Sequence, residues 1–350
     1  MIVTGRVGAI GQTALINSIF EKVPSMGSDN IIRIVPSKSN KVGVIYSFLI
    51  SKYGQALFSK LATGGVQPYI SEEMLLDFPI PEFEVGLEIK INKLIEKSSQ
   101  LKLESFESFE KAKKYFDDKL VNEEVSASIA IKKSKSIRKY QNRLDASFNI
   151  LKKHYDDIIS KNFKTSKAIG SYKHRIFIPN RGKRNYTTKG LKYLSTTDIS
   201  SFNYTKINKF LSFRMKGIET LKVKQNWILI ARSGQEILGD SFYVNESMNN
   251  LGVNEHALRL IVNREESSYI YAFLSSNFGK KYLRSGIFGS AILTINDDFL
   301  RTVLIPQLEE KEKAEITNLI ERSNQSSHKA IELENEAIAL VENEIEEWHK

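Results

Sequence analysis

Two short apolar stretches decide the fold of this chain, because each ends in a proline and is followed by a long helical pattern. The first is Phe78-Pro79-Ile80-Pro81, which precedes a helical pattern from Leu87 to Leu120. The second is Val303-Leu304-Ile305-Pro306, which precedes a helical pattern from Lys311 to Trp348. The final prolines of the two stretches lie 225 positions apart. We expect each stretch to be a short strand that leads into a long helix, and one module to occur twice.

The same spacing extends upstream of the two stretches. The pairs that it aligns, some after small shifts, are Tyr46-Ser47-Phe48-Leu49 with Tyr271-Ala272-Phe273-Leu274, Gly64 with Gly289, Ile70 with Ile295, Arg33 with Arg259 and Gly11 with Gly239. We therefore predict that residues 42 to 81 superimpose on residues 267 to 306. Apolar residues at helical spacing predict one helix from Val42 to Leu61 that ends at Gly64-Gly65. A strand is predicted over Asn30 to Val35.

Both long helical patterns carry an apolar stripe in which large residues are mixed with small ones. The first stripe consists of Ile91, Leu94, Ser98, Leu101, Ser105, Ser108, Ala112 and Tyr115. The second consists of Ile316, Leu319, Ile320, Ala330, Leu333, Ala337, Leu340, Val341, Ile345 and Trp348. Stripes of this kind are typical of coiled-coil-like packing. We predict an α+β protein in which two long antiparallel helices, each roughly 50 Å in length, pack against each other.

The composition excludes several classes of protein. Forty-one per cent of the 350 residues are hydrophobic, which suffices for buried cores. The chain has no cysteine, so disulfides and thiolate metal sites are excluded, and its five histidines are too dispersed to form a ligand cluster. No apolar run is long enough to cross a bilayer, and the N-terminus lacks the pattern of a signal peptide. We therefore predict a cytoplasmic location.

The positive charge is concentrated in one part of the chain. Between Lys161 and Arg232, seventeen lysines and arginines stand against two acidic residues, Asp198 and Glu219, and the cations are interleaved with tyrosine and phenylalanine. A solvated lysine-rich surface would also give this pattern, but we favour a face that binds double-stranded DNA. The residues expected to contact DNA are Arg175, Arg181, Lys183, Arg184, Tyr186, Lys206, Arg214, Arg232 and Gln235, with Lys280, Lys281 and Arg284 on the phosphate backbone.

Candidate catalytic motifs are weak. The glycines from Gly5 to Gly11 have GxxGxxG spacing, which indicates a tight turn between strands and not a dinucleotide-binding loop. There is no phosphate-binding GxxxxGK[ST] motif and no Asn-Pro-Pro-aromatic motif of amino-methyltransferases. Asp77, Glu88 and Lys90 could be arranged as a nuclease trio, but ordinary charges on a helix surface explain them better. We predict no catalytic residue, no metal site and no cofactor.

Several motifs, in their order along the chain, resemble one protein family. They are Gly5-Arg6-Val7-Gly8-Ala9-Ile10-Gly11, Ala62-Thr63-Gly64-Gly65-Val66-Gln67-Pro68-Tyr69-Ile70-Ser71 and Phe78-Pro79-Ile80-Pro81 before a long helix. Together they resemble the distal half of a target recognition domain in the specificity subunit of type I restriction-modification systems. Arg143-Leu144-Asp145-Ala146-Ser147-Phe148 resembles the opening of a second such domain.

This resemblance implies a DNA recognition subunit that is not itself an enzyme. Its two target recognition domains would each bind half of a bipartite DNA target, and its helices would separate them. The helices would also bind methyltransferase subunits, which in turn join a motor-nuclease subunit. The implied divisions are a distal half-domain at 1–86, a first spacer helix at 87–122, a serine- and lysine-rich linker at 123–142, a complete second domain at 143–310 and a second spacer helix at 311–350.

A family member would begin with a proximal half-domain equivalent to Asp145 to Asn226, and the first copy begins at Met1 in mid-domain. Two explanations stay open at this point: a truncated product, as in a silent cassette, or a half-domain supplied by another chain. The alternative function is a truncated or regulatory coiled-coil scaffold, which binds the other subunits without a complete target sequence of its own.

Overall fold

The computed structural model describes residues 1–23, 25–37, 41–62, 68–120, 143, 145–201 and 203–348. The fold is α+β, and the chain divides into two compact units. Unit 1 comprises Met1–Phe106 and Ser326–Lys350, and unit 2 comprises Glu107–Gln325. The predicted linker at 123–142 and the predicted helix end at Gly64-Gly65 lie outside the described residues.

The described residues of unit 1 form a small antiparallel sheet and four helices that precede the first long helix. Its strands are β1 (Ile2–Gly5), β2 (Thr13–Leu15) and β3 (Ile31–Ile34), in the order β2-β1-β3. Its helices are α1 (Ile19–Lys22), α2 (Val42–Ile50), α3 (Lys52–Leu61), α4 (Glu72–Leu76) and the start of α5 (Val85–Lys119). The predicted strand over Asn30 to Val35 is confirmed as β3. The glycines from Gly5 to Gly11 connect β1 to β2, as predicted, and Gly8 and Gly11 have φ angles of 73° and 75°.

Unit 2 is larger, and its described residues form three sheets. Its helices are α6 (Ala146–Asn162), α7 (Thr196–Ser200), α8 (Arg264–Ser275), α9 (Asn277–Ser285), α10 (Asp297–Thr302) and the start of α11 (Glu310–Glu347). Its strands are β4 (Ser166–Ala168), β5 (Arg175–Phe177), β6 (Tyr186–Thr187), β7 (Leu191–Leu194), β8 (Phe210–Leu211), β9 (Ile228–Ala231), β10 (Ser241–Tyr243), β11 (Gly252–Val253), β12 (Ala257–Ile261) and β13 (Leu304–Pro306). The sheet orders are β10-β9-β12-β5, β11-β7-β8-β6 and β13-β4.

The strand registers of the two units show that one module is repeated. In unit 1, Ile2 pairs with Leu15 on one side and with Ile34 on the other. In unit 2, Ile228 pairs with Tyr243 and with Leu260 in the same way. Every further pair along β1 has its counterpart along β9 at the same spacing. The two sheets therefore have the same backbone pairing, although few of their side chains are identical.

The helix predicted from Val42 to Leu61 is wrong as one helix, because it is interrupted at Ser51. Ser51 has extended backbone, and its Oγ donates to the carbonyl of Phe48 at 2.6 Å while accepting from the N–H of Gly54. Ser276 makes the same bonds to Phe273 and Gly279 between α8 and α9. A serine that satisfies both helix ends can break a helix without interrupting its apolar periodicity.

Of the two proline-terminated stretches that were predicted to be strands, only the second is one. The second forms β13, which pairs with β4. Among the described residues of unit 1, however, the first stretch pairs with no strand, so the prediction of a strand there is wrong. The physical reason is that β4 belongs to residues 145–226, a segment that has no counterpart among the described residues of unit 1. Phe78 is nevertheless buried and contacts the ring of Phe58, with 4.9 Å between the ring centroids.

The prediction that the two long helices pack antiparallel is confirmed. In unit 1, Lys90 lies 3.8 Å from Glu336 and Ser98 Oγ donates to the carbonyl of Ala330 at 2.8 Å, so the partner's residue number falls as that of the first helix rises. In unit 2, Lys119 lies 3.1 Å from Glu312. Many of the predicted stripe residues are buried: Ile91, Ser98, Ser105, Ala330, Ala337, Val341 and Ile345 in unit 1, and Ser108, Ala112, Ile316 and Ile320 in unit 2. The prediction is wrong for Trp348, which is 53% exposed near the end of its helix. No described helix is long and apolar enough to span a bilayer.

Candidate nucleic-acid interface

A polar cleft of about 490 Å³ in unit 2 lies within the basic part of the chain. Four segments line it: the loop before β6 with the start of that strand, the end of β7 with the start of α7, the residue before β8, and the loop between β11 and β12. The lining residues are Arg181, Gly182, Arg184, Tyr186, Tyr193, Ser195, Asp198, Lys209, Asn254, Glu255 and His256. The rings of Tyr186 and Tyr193 meet edge to face with 6.3 Å between their centroids. Cations, carboxylates and aromatic rings therefore line one concave surface.

The carboxylate of Glu255 organises the basic side of this cleft. Arg184 forms an ion pair with it through one guanidinium nitrogen, and its Nε donates to the hydroxyl of Tyr193 at 3.0 Å. Arg181 lies 3.6 Å from the same carboxylate, but its side chain is 82% exposed. Burial alone would raise the pKa of Glu255, yet a backbone N–H and the charge of Arg184 outweigh it and hold this pKa below its usual 4.5. The carboxylate is thus charged at neutral pH and fixes Arg184 in place.

A second carboxylate, Asp198, also lines the cleft and is held in place. It lies in the first turn of α7 and forms a capping box with Ser195. Lys209 donates to it at 3.1 Å. Burial acts to raise the pKa of Asp198, but the hydrogen bonds from Ser195 and Lys209 lower it on balance. Both carboxylates can accept hydrogen bonds, which is the capacity needed to recognise the exocyclic amino group of a cytosine.

A histidine connects the cleft to the neighbouring loop. The Nδ1 of His256 lies 2.5 Å from the hydroxyl of Ser233. The backbone N–H of Arg232 donates to the carbonyl of His256, and the N–H of Ile295 donates to the carbonyl of Arg232. The loop that carries Arg232 and Gln235 is therefore held beside the cleft.

The structure brings together some of the predicted contact residues. Arg181, Arg184 and Tyr186 line the cleft, and Arg232 and Gln235 lie on the adjoining loop. Lys183 lies between Arg181 and Arg184 in sequence and is exposed. A separate group lies on α9, where Lys280 pairs with Asp240, Arg284 donates to the carbonyl of Leu238 at 3.3 Å and Lys281 is exposed.

The remaining predicted residues lie on other elements. Arg175 is exposed on β5, Lys206 ends the short 3-10 helix Tyr204–Lys206, and Arg214 is exposed after β8. Among the described residues of unit 2, these three do not line the cleft. They extend the basic surface, and their contact with DNA stays a prediction.

Sequence reasoning did not predict eight of the eleven lining residues: Gly182, Tyr193, Ser195, Asp198, Lys209, Asn254, Glu255 and His256. The Ser195-Thr196-Thr197-Asp198 sequence is a capping-box signal that could have located Asp198 at a helix start. Glu255 gave no such signal, because it lies 71 positions from Arg184 and follows a two-residue strand. The described residues contain no group of three or more side chains arranged to hold a metal ion.

Neither a family model nor a curated protein matches the chain. Among solved structures, the chain is similar to the S subunit of a type I restriction-modification system from M. genitalium, with 12% identity, 97% of this chain and 81% of that chain covered, and a TM-score of 0.37. It is also similar to the HsdS subunit from Thermoanaerobacter tengcongensis, with 12% identity, coverage of 86% and 68%, and a TM-score of 0.33. A third similar chain, from a structure of the type I R-M system concerned with complex assembly and conformational transition, has 11% identity, coverage of 97% and 80%, and a TM-score of 0.34.

Proposed function

We propose that this chain is a sequence-specific DNA-binding specificity subunit of a type I restriction-modification system. In this role it directs methyltransferase and restriction subunits to a bipartite DNA target and performs no chemistry itself. The observation that carries the proposal is the basic surface of unit 2 around the polar cleft. Each of the seventeen cations between Lys161 and Arg232 is at least partly exposed.

The exposed cations supply what phosphate binding requires. Lys183 and Arg214 take part in no ion pair among the described residues, so their charge is available to a ligand. Each phosphate that such a cation neutralises releases counterions from the duplex, which favours binding at low salt. This term is independent of sequence and fixes the position of the protein on DNA.

Recognition of bases requires side chains that are held rigidly, and the cleft provides them. Arg184 is held by Glu255 and Tyr193, and Asp198 is held by Ser195 and Lys209. A rigid arginine beside a rigid acceptor can distinguish base pairs, at about 1–3 kcal/mol for each good bidentate contact. Tyr186, which is exposed at the rim, offers a ring and a hydroxyl beside them.

The repeated module and the long helices support the bipartite and multi-subunit parts of the proposal. A module present twice supplies two frameworks on which a half-site reader can be built, and unit 2 carries the basic cleft on one of them. Half-sites are typically one or more helical turns apart. The long helices expose many charged residues outside their buried stripes, which suits them to bind further subunits. The order of the sequence motifs from Gly5 to Pro306 is also that of a specificity subunit.

The test is DNA binding by the purified chain together with the methyltransferase subunit encoded beside it, over a series of salt concentrations. We expect the combined Arg181→Gln, Lys183→Gln and Arg184→Gln variant to bind more weakly and to have a shallower salt dependence. The slope should fall by about one unit for each phosphate that the protein no longer neutralises. Mapping of methylated adenines would first supply the target duplex, and a scrambled duplex gives the non-specific reference.

Two controls distinguish weaker DNA binding by these side chains from a disturbance of the fold. The Arg181→Gln and Lys183→Gln double variant keeps the Arg184–Glu255 pair and should retain most of the effect, since both side chains are exposed. The Lys111→Gln, Lys153→Gln and Arg264→Gln variant removes the same number of charges from other exposed positions of unit 2 and should bind normally. Unchanged DNA affinity and salt dependence in the Arg181→Gln, Lys183→Gln and Arg184→Gln variant would reject the proposal and favour the coiled-coil scaffold.

A further inference from the structure

A hairpin between α9 and α10 of unit 2 ends in an exposed apolar turn. Phe288 and Thr294 exchange two backbone hydrogen bonds, of 3.0 and 2.9 Å, which close the hairpin. Every residue from Phe288 to Leu293 is exposed, and we call this segment the apolar tip. Within it Ile292 is 72% exposed, Leu293 44% and Phe288 38%. A single exposed apolar side chain needs no explanation, but three large ones in one turn mark an interaction surface.

The hairpin lies at the end of the sheet that carries the polar cleft. β9 ends at Ala231 and β12 begins at Ala257, and these two residues are paired, so the residues after β9 and before β12 share one end of the sheet. His256, which lines the cleft, directly precedes β12. The N–H of Arg232 donates to the carbonyl of His256 at 2.8 Å, and the N–H of Ile295 donates to the carbonyl of Arg232 at 2.9 Å. The hairpin is therefore joined to the cleft through one intervening residue.

A glycine and an arginine hold the hairpin in one conformation. Gly289 has a φ angle of 101°, which other residues rarely adopt, at the point where the chain turns. The guanidinium of Arg143 donates to the carbonyls of Gly286 at 3.0 Å and Ile287 at 2.9 Å. The same guanidinium lies over the ring of Phe148, 3.9 Å from its centroid. The apolar tip is thus preorganised and loses little conformational freedom when it binds a ligand.

Cations flank the apolar tip. Lys281 and Arg284 are exposed on α9, directly ahead of the hairpin, and Arg232 lies beside its second arm. After the hairpin, α10 begins with two acidic residues, of which Asp297 forms an ion pair with Arg301 at 3.0 Å. An apolar turn among cations suits a ligand that has negative charge outside and apolar surface inside. A DNA duplex is such a ligand, because its phosphates surround a stack of bases.

We propose that the apolar tip is a wedge that inserts between two stacked base pairs of the duplex bound at the polar cleft, an inference that rests on the proposed function. Ile292, the most exposed of the three apolar side chains, enters the stack, and Leu293 lies beside it. Apolar side chains that insert in this way partly unstack a base step and kink the duplex. Pyrimidine–purine steps unstack most readily, so the wedge adds sequence preference at bases that the cleft does not contact.

A protein subunit is a poorer ligand for the apolar tip. A specific protein interface covers about 800 Å² on each partner, and a turn of six residues supplies only a small part of that area. The core of such an interface is also depleted of charged residues, whereas this tip lies among cations. Insertion between base pairs, in contrast, needs only one or two apolar side chains on a rigid support.

The experiment follows base stacking in the complex of this chain with the methyltransferase subunit encoded beside it. The mapped target duplex carries 2-aminopurine, an adenine analogue whose fluorescence is quenched by stacking, at one position at a time beside the half-sites. The methylated adenines are left unmodified, because methyltransferases themselves flip their target base out of the stack. We expect a severalfold rise in fluorescence on binding at one step beside a half-site, and no rise with the scrambled duplex.

The test variant combines Ile292→Ser with Leu293→Ser, and the fold should be retained because both side chains are exposed. The rise in fluorescence should disappear, and the affinity should fall by about tenfold, which is the effect of losing one base contact. The salt dependence should stay unchanged, since no cation is removed. The conservative Ile292→Leu variant should keep the rise. The matched control, Leu76→Ser with Ile89→Ser, removes the same two residue types from exposed positions of unit 1 and should behave like the parent.

The outcomes separate the wedge from the proposed function. Specific binding with no rise in fluorescence at any step beside the half-sites would reject the wedge and leave the proposed function intact. Equal affinity of the parent for the target and the scrambled duplex would reject both. An undiminished rise in the Ile292→Ser, Leu293→Ser variant would reject the wedge, because the unstacking would then have another source. Loss of the methyltransferase subunit from that purified variant would assign the apolar tip to a protein partner instead.

Discussion

Replacing Arg184 with methionine removes the guanidinium that neutralises Glu255, and we expect this change to destabilise unit 2 by about 2 kcal/mol. The side chains of both residues are only 12% exposed, so water cannot fully replace the ion pair. The change also removes the hydrogen bond from Arg184 Nε to the hydroxyl of Tyr193. Hydrogen bonds to charged groups contribute about 1.5–3 kcal/mol each, and the partial exposure places the expected value towards the lower end.

The assay is urea unfolding followed by tryptophan fluorescence. The chain has two tryptophans, and a Trp348→Phe background leaves Trp227, which contacts Phe177 within unit 2, as the reporter. With a slope of about 2 kcal/mol/M, the midpoint should fall by roughly 1 M. The Glu255→Gln variant and the Arg184→Met, Glu255→Gln double variant complete a double-mutant cycle. The double variant should lose at least about 1 kcal/mol less stability than the sum of the two single variants.

The control for this cycle is Arg181→Met. Its side chain lies near the same carboxylate but is 82% exposed, so its removal should change the free energy of unfolding by less than about 0.5 kcal/mol. If Arg184→Met unfolds within that margin of the parent, or if the two single losses of stability simply add, the ion pair does not organise the cleft and the reasoning is refuted.

Three further predictions concern pH, the helix break and the helix seam. The folded-state pKa of Glu255 lies below its usual 4.5, so its contribution to stability should be present at neutral pH and lost as the pH falls through that lowered pKa. Urea unfolding of the parent and of Glu255→Gln over a descending pH series from pH 7 checks this, and a contribution that grows as the pH falls would contradict it. A methyl group added at Gly54 would lie 2.3 Å from a backbone oxygen, and one added at Gly279 would lie 2.0 Å from one. Alanine at either position should therefore lower the stability by at least about 3 kcal/mol, as measured by thermal unfolding. The control is Gly86→Ala, which should not destabilise the chain because its methyl group would lie 3.4 Å from a flexible carboxylate. Ala112→Leu in the fully buried helix seam should destabilise by about 1–3 kcal/mol, and a neutral result would mean that the helices separate readily.

Matching residues at a nearly constant spacing of 225 positions were sufficient to predict the repeated module, and side-chain periodicity was sufficient to predict the helix pair. Stripes such as Ile91 to Tyr115 must be buried somewhere, and two of similar length in one chain provide partners for each other. Periodicity could not reveal the break at Ser51, because a serine that bonds both helix ends leaves the apolar spacing intact. Nor could it show that Phe78 to Pro81 lacks a partner strand among the described residues, since pairing depends on residues distant in sequence.

The candidate site was predicted only in part, because some of its contacts also join residues that are distant in sequence. Charge density located the basic segment, and Arg181, Arg184 and Tyr186 do lie together in the cleft. The carboxylates that orient these cations come from elsewhere: Glu255 from a loop 71 positions beyond Arg184, and Asp198 from a helix start. A local count of charges shows where cations are dense but not which of them a distant acid holds in place.

The shared register of β1 and β9 has a consequence for how such chains can vary. Ile2 and Ile228 begin strands whose backbone partners occur at the same spacing in both copies. A genetic crossover that joins the sequence ahead of one of these residues to the sequence after the other exchanges every side chain of the module and keeps each backbone hydrogen bond of the three-stranded sheet. The whole module can therefore be exchanged by recombination, and the sequence ahead of it then meets a sheet with the same backbone pairing.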